Sequence, residues 1–383
     1  MNWTGADVIT ARMRRRWSSG ELLRTYAAGE PFPTISVALR GPKAGEIGDD
    51  LAAVREWVRG LVDSSGDGRR YRLEWASIGG RAVGRNQIPV RAHVETWEQA
   101  WALLGVQRDV RRFDELLALA EAEQAAPVRA WIAARPKRAL ELADDVPRLI
   151  AAWRWLEAHR GSGRYLREIS APEVDTKFVE RHRGVLAEML GVRGGAADFL
   201  VGLGLAGTPS MIRLRLSLPL PGLGSVSEVG LRVDELAQLD LRVSTVLVVE
   251  NLVTYLSVPV PSGGAVLWGQ GFDVGRLALL PWLRAARVRY WGDLDAKGFE
   301  ILNQLRAACP QTQSVLMDEE TLLAHRDRWV SEPRPPKGAA LTHLSADEQR
   351  LYRSLVEDRF GQGVRLEQER IDWAWASERL ASG

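Results

Sequence analysis

Four carboxylates carry the chemistry this sequence offers most plainly: Glu250, Asp293, Asp295 and Asp318. Each follows a short apolar run that reads as a β-strand. Thr245–Val249 precedes Glu250, Arg287–Trp291 precedes the pair Asp293 and Asp295, and residues 313–317 precede Asp318. Carboxylates brought together repel one another, and cations or bound protons must compensate. Their hard oxygens suit Mg2+ or Mn2+, which keep coordination positions for water and phosphate. Two such ions about 3.5–4 Å apart activate a water and stabilise the leaving oxygen of a phosphodiester, so phosphoryl chemistry is the natural use of the cluster. Gly292 allows a sharp turn ahead of the aspartate pair, and Gly298 permits close approach at the start of the next helix. Lys297 stands where a phosphate contact is plausible.

The elements that must position these acids follow from periodicity. Ala265–Trp268 is a further strand, and helices are expected over residues 252–256, 274–284 (interrupted by Pro281) and 297–308, the last with Phe299, Leu302 and Leu305 inward. Strands alternating with helices predict an α/β fold with a parallel sheet. The carboxyl ends of its strands then lie along one edge, where ligand sites form. Singly, each acid has an ordinary explanation. A Glu after a Val-rich strand is commonly solvated, and Asp-x-Asp is common turn chemistry. Asp318 reads as the N-cap of a helix starting near Glu319 before it reads as a fourth ligand. The joint order of Glu250 and the aspartate pair is what singles them out. Trp268 and Trp291 beside them read as packing residues.

At 383 residues the chain exceeds what one core usually supports, so several domains are expected. Residues 1–163 combine strand-like segments at 34–39 and 71–75 with a long helical stretch from about Trp97 to His159, forming a mostly helical arm. Gly161, Ser162 and Gly163 make a breaker that is a linker or a tight turn. Residues 164–242 place helical patterns at 175–189 and 199–205 before Met211–Leu216, whose alternation of apolar and basic residues suits a half-exposed strand. That order suits a winged-helix-like unit. Residues 243–383 hold the acidic α/β region, and Pro333 to Pro336 form a short stiff loop. With 46% hydrophobic and 26% charged residues the composition is that of a globular protein. No apolar run reaches the ~18 residues of a membrane span, and the N-terminus does not read as a secretory signal. One cysteine, Cys309, excludes an internal disulfide and fits a reducing, cytoplasmic setting. The net charge of +2 permits nucleic-acid binding only through a local basic face. Lys177, Arg181, Arg213 and Arg215 are candidate DNA contacts, since alternate strand residues share a face.

Several ordered motifs carry a resemblance. Val248-Val249-Glu250-Asn251, then Gly269-Gln270-Gly271, then the run from Tyr290 through Gly292-Asp293-Leu294-Asp295 to Phe299 resemble the Toprim domain of the JetD/MksG family. Leu316-Met317-Asp318, the segment Arg365-Leu366-Glu367-Gln368-Glu369-Arg370-Ile371 and, upstream, Val174 to His182 are similar to further motifs of that family. The similarity spans nearly the whole chain and is weakest over the first 160 residues. It implies the architecture of the topoisomerase VI A subunit, with an N-terminal arm, a winged-helix-like (CAP) domain and a C-terminal Toprim domain. It also implies a homodimer that cleaves double-stranded plasmid DNA beside an SMC-kleisin-kite complex (JetABC or MksBEF) in Wadjet defence. Carried over by position, Glu250, Asp293 and Asp295 become the ligands of Mg2+ or Mn2+. Ala296-Lys297 departs from the Thr-His expected there, which leaves the acidic trio intact.

Topoisomerase VI relatives break DNA through a tyrosine of the winged-helix domain, yet residues 171–245 contain none and Tyr165 lies just outside. Hydrolysis by metal-activated water is therefore expected rather than a covalent link. Three alternatives stand beside the metal-dependent endonuclease: a non-catalytic DNA-binding Toprim subunit, a topoisomerase VI A-like enzyme, and a haloacid-dehalogenase-like phosphatase. The last would leave Glu250 unexplained.

Overall fold

The computed structural model describes residues 3–43, 46–47, 50–80, 84–220, 226–269, 274–331 and 339–381. Two compact units form, residues 1–207 and 208–383. The segment 164–242 is thus shared out: its helices up to Leu203 pack in the first unit, and the strands Met211–Leu216 and Glu228–Arg232 with helix Val233–Gln238 in the second.

The first unit is helical around a small antiparallel sheet. β1 (Ile35–Ala38), β2 (Arg72–Gly80) and β3 (Gly84–Val94) pair in the order β1-β3-β2. β3 is not among the expected strands: Ile88, Val90, Ala92 and Val94 alternate with polar residues as a half-buried strand does, but Pro89 interrupts the run. The expected long helical stretch is five helices: Trp97–Leu104, Gln107–Ala122, Ala126–Ala134, Pro136–Glu141 and Val146–Ala158. Helices Thr176–Arg181, Arg183–Leu190 and Ala196–Leu203 follow and share their core, with Phe113, Leu149, Leu156, Leu186 and Phe199 buried together. The Gly161–Gly163 breaker is a tight turn. The Gly161 N–H donates to Leu203 O at 2.7 Å and the Gly163 N–H to Gly204 O at 3.0 Å. A Cβ on Gly204 would meet the Gly161 Cα at 2.7 Å, so the close approach requires glycine there.

In the second unit six described strands form one mixed sheet in the order β5-β4-β7-β6-β8-β9. β6 (Thr245–Val249), β7 (Ala265–Trp268), β8 (Arg287–Trp291) and β9 (Gln313–Ser314) are parallel, as expected. β4 (Met211–Leu216) and β5 (Glu228–Arg232) extend the sheet antiparallel beyond β7. Val246, Leu247, Val248 and Val249 are all buried, the pattern of a strand covered on both faces. Three expectations shift at their ends. The run 313–317 is strand only at Gln313–Ser314, the helix expected over 274–284 is two 3-10 segments split at Leu280 before Pro281, and the helix after the aspartates spans Ala296–Ala308. Gln270, Gly271 and the Pro333–Pro336 loop lie outside the described residues. Among the described residues no helix is long and apolar enough to cross a membrane.

A buried ion pair ties helix Ala296–Ala308 and β9 to helix Ala346–Val356. Arg306 reaches both oxygens of Glu348 at 2.6 and 2.9 Å, the Ser314 hydroxyl donates to the same carboxylate at 2.6 Å, and the Ser345 N–H donates at 2.7 Å. Burial raises the Glu348 pKa. The hydrogen bonds from Arg306, Ser314 and Ser345, with the Arg306 charge, outweigh that and pull it from 4.5 down to about 2. A depressed folded-state pKa stabilises above the unfolded value, and that contribution is lost as pH falls from about 4.5 to about 2. It amounts to about 3 kcal/mol at ~1.4 kcal/mol per unit. Glu348→Gln is expected to remove most of the acid sensitivity of this unit in that window. Urea melts at pH 7 and pH 3 measure it, and an unchanged difference between the two pH values would refute it.

Candidate functional site

Glu250 extends from the end of β6 and Asp293 and Asp295 from the turn after β8, the strand hydrogen-bonded beside it. The three sequence-predicted acids therefore share two adjacent parallel strand ends. Local chemistry fixes each. Asp295 caps helix Ala296–Ala308, its Oδ1 accepting the Gly298 N–H at 2.7 Å. That leaves Oδ2 available to face the site. Asn251, next to Glu250, caps helix Leu252–Ser257 in the same way through the Thr254 N–H. Glu250 Oε1 accepts a hydrogen bond from the buried Tyr290 hydroxyl.

Two glycines permit the close contacts that follow β8, Gly292 against side-chain ends and Gly298, in the next helix, against backbone. A Cβ on Gly292 would lie 2.5 Å from Tyr290 Oη and 2.6 Å from Glu250 Oε1. One on Gly298 would run into the Asp293 carbonyl oxygen. The acids are thereby pressed against the helix start and against each other. Burial, then the charges of Asp293 and Asp295, raise the Glu250 pKa to about 8 against a smaller lowering by Lys297. Burial also raises Asp293, opposed by the Gln368 N–H and Arg365 and reinforced by Asp295 and Glu367.

Residues 365–370 complete the site, although nothing in their sequence beyond the family motif marks a chemical role. Leu366 forms an antiparallel bridge with Leu294 between the two aspartates. Gln368 is almost fully buried, 2% exposed, and its Oε1 accepts the Asn251 N–H at 2.9 Å. Its Nε2 donates to Trp291 O, and its backbone N–H donates to Asp293 Oδ1 at 2.8 Å. One side chain thus ties the end of β6 to the end of β8. Arg365 lies 3.2 Å from Asp293 Oδ2, 3.5 Å from Asp295 Oδ2 and 3.0 Å from Glu367 Oε1. Gln368→Ala leaves a buried N–H and a buried carbonyl unpaired, an expected loss of about 1–3 kcal/mol. Urea denaturation checks it, and wild-type stability would show that the tie is dispensable.

The remaining candidates are placed elsewhere. Asp318 is the N-cap of helix Glu319–Ala324, accepting the Thr321 N–H at 2.7 Å, in an exposed position. Lys297 Nζ lies 3.0 Å from Glu300 on the same helix. Arg213 pairs with Glu228 across β4 and β5, and Arg215 donates to the carbonyls of Tyr255, Leu256 and Val258 at the end of helix Leu252–Ser257. Both face the Tyr255 ring, so they do share a face. Lys177 and Arg181 are exposed on helix Thr176–Arg181 of the first unit. Trp291 is buried, and Trp268 donates its indole N–H to Glu250 O at 2.9 Å. Carboxylate oxygens are the donors a hard divalent cation takes. As placed, no three His, Cys, Asp or Glu side chains among the described residues converge closely enough to hold one ion, and Arg365 reaches both aspartates instead.

Fold and site together define an α/β protein with an acidic centre at the carboxyl ends of adjacent parallel strands. Residues 204–380 match the family model described as "Wadjet protein JetD, C-terminal", and residues 6–191 match one described as "Uncharacterized protein conserved in bacteria N-term". Over residues 204–380 the chain belongs to the Wadjet JetD family. No curated protein matches it.

Proposed function

We propose that this protein is a divalent-metal-dependent endonuclease that hydrolyses plasmid DNA as the effector of its Wadjet system, through a Toprim-type site. The observation that carries the reading is the placement of three carboxylates at two adjacent parallel strand ends, where burial first and then the charges of Asp293 and Asp295 push Glu250 up to about 8. Carboxylates crowded in this way take up either protons or a cation, and a cation is what phosphoryl chemistry uses. Glu250, Asp293 and Asp295 would hold Mg2+ or Mn2+, and the Oδ2 atoms of the two aspartates both lie against the Arg365 guanidinium. A bound ion of this kind supplies a low-pKa water and neutralises charge on the leaving oxygen.

Within the chain, Tyr290 orients Glu250, Gln368 sets the spacing between the strand ends, and the Asp295 cap ties the site to a rigid helix. Tyr290 is buried with its hydroxyl on Glu250, and Tyr165, 42% exposed, sits beside the short turn Leu166–Glu168. The engaged, buried Tyr290 does not suit a nucleophile and residues 171–245 contain no tyrosine, which supports hydrolysis without a protein–DNA link. An SMC-like partner complex would deliver the DNA, and a homodimer would set two sites against opposite strands. Exposed Lys177 and Arg181 remain candidate phosphate contacts, whereas Arg213 and Arg215 are engaged by Glu228 and by helix carbonyls.

The test is cleavage of supercoiled plasmid by purified protein with Mn2+ or Mg2+, with and without the partner complex. Metal-dependent linearisation that needs Asp293 supports the reading. DNA binding without cleavage in every combination would make this a non-catalytic subunit, and protein trapped on DNA ends in a denaturing gel would show tyrosine chemistry.

A further inference from the structure

We infer that Arg365 is a built-in counter-cation at the acidic centre, holding the place a divalent ion would take and serving as a phosphate ligand once it is displaced. The inference rests on the metal-site reading above and extends it to a residue outside the acidic trio.

Three observations point to it. Each aspartate spends one oxygen on the fold, Asp293 Oδ1 on the Gln368 N–H and Asp295 Oδ1 on the Gly298 N–H. The other oxygen of each, Oδ2, faces the same guanidinium at 3.2 and 3.5 Å. Arg365 thus lies against both uncommitted oxygens, through Nη2 on Asp293 and Nε toward Asp295. Its hold is also incomplete: the Nε atom is buried yet makes no hydrogen bond, although Asp295 Oδ2 is 3.5 Å away. A guanidinium with all its donors engaged would be costly to move, and this one is not fully engaged.

A second partner stands ready. Glu367 Oε1 lies 3.0 Å from Arg365 Nη2, and Glu367 is anchored by Arg370 Nε at 3.1 Å. The backbone is pinned on both sides, by the pairing of Arg365 with Val330 and by the Leu366–Leu294 bridge. The side chain alone must therefore swing. Asp293 and Asp295 become free to hold a cation only when Arg365 releases them, and Glu367 then retains the guanidinium at the edge of the site. There its planar fork matches two phosphate oxygens, which a lysine cannot reproduce.

Removing the guanidinium should therefore shift two quantities in opposite directions. Full-length wild type, Arg365→Gln, Arg365→Lys and Asp293→Asn are titrated with Mn2+, reading the free ion by electron paramagnetic resonance, and assayed on supercoiled plasmid at saturating Mn2+. With the competing positive charge gone, Arg365→Gln is expected to bind Mn2+ about tenfold more tightly or better, yet to cleave about 100-fold more slowly. Arg365→Lys, which keeps the charge and loses the fork, should bind Mn2+ nearly as wild type does and still cleave poorly. This variant also keeps the test intact if the neutral one fails to fold. Mn2+ binding that appears only in Arg365→Gln would be the strongest support. A wild type that binds Mn2+ through Asp293 while Arg365→Gln binds it no better would overturn this inference alone and leave Arg365 as a structural tie. Absence of Asp293-dependent binding in every protein would overturn the metal site itself, and the inference with it.

Discussion

Glu250→Gln is expected to abolish metal-dependent cleavage and, in the same protein without metal, to raise the melting temperature at pH 8. Both effects come from one buried carboxyl. Its removal from a three-carboxylate centre takes away a hard oxygen ligand, and an activity loss of at least about 10²–10³-fold follows if the site neutralises charge in the transition state. The stability effect has the opposite sign. Burial and the two aspartates raise Glu250 from 4.5 to about 8. The folded state therefore keeps a proton that the unfolded state releases near 4.5, and wild-type stability falls as pH rises through that window. The penalty at pH 8 is on the order of 4 kcal/mol at ~1.4 kcal/mol per unit. Glutamine carries no such charge, and its carbonyl still accepts from the Tyr290 hydroxyl. The gain over wild type should shrink toward pH 5. Thermal melts at pH 5 and 8 in chelator, with plasmid cleavage in Mn2+, measure both halves. A variant that melts lower than wild type at pH 8 would show that Glu250 is a structural ligand of the fold instead.

Gly298→Ala is expected to disrupt the same centre from the backbone side. The added Cβ runs into the Asp293 carbonyl oxygen and lies 3.1 Å from its carbonyl carbon and 3.3 Å from its nitrogen. These are backbone atoms, so no rotamer change relieves the clash. The first turn of helix Ala296–Ala308 and the acidic turn must separate, and the 2.7 Å cap from Asp295 to the Gly298 N–H is lost with them. Overpacking of about 1–3 kcal/mol plus a lost cap of about 1 kcal/mol gives an expected destabilisation of about 2–4 kcal/mol. Gly60→Ala is the control. Gly60 lies within helix Leu51–Ser65, and a methyl added there would meet no neighbouring atom within 4 Å beyond the helix's own backbone. Alanine there should be neutral or stabilising by up to about 1 kcal/mol. Equal urea midpoints for the two variants would contradict the crowding argument.

How much of this is legible in the sequence depends on the range of the interaction. β6, β7 and β8 are legible to the residue, because short runs rich in Val, Leu, Tyr and Trp that end at glycine or at an acid are a local pattern. The N-caps at Asp295 and Asp318 are equally local, each an acid three residues before the N–H it accepts. β3 and β5 are less legible: both alternate in polarity, but Pro89 inside β3 and Gly230 inside the five-residue β5 argue locally against a strand. Arg213 and Arg215 do share a strand face, as their alternation implies, but their partners, Glu228 and the carbonyls after Tyr255, come from other elements.

By itself, the sequence determined that the second unit is built on parallel α/β strands with Glu250, Asp293 and Asp295 at their carboxyl edge, because strand and helix periods and the residues that follow them are properties of neighbouring positions. Only the tertiary structure decided how those acids are held and balanced. Arg365 meets Asp293 across 72 residues of chain, and Gln368 meets Asn251 across 117. Contacts of that span leave no local period to read, because they form only once the sheet has closed and residues 365–370 have been laid across its edge.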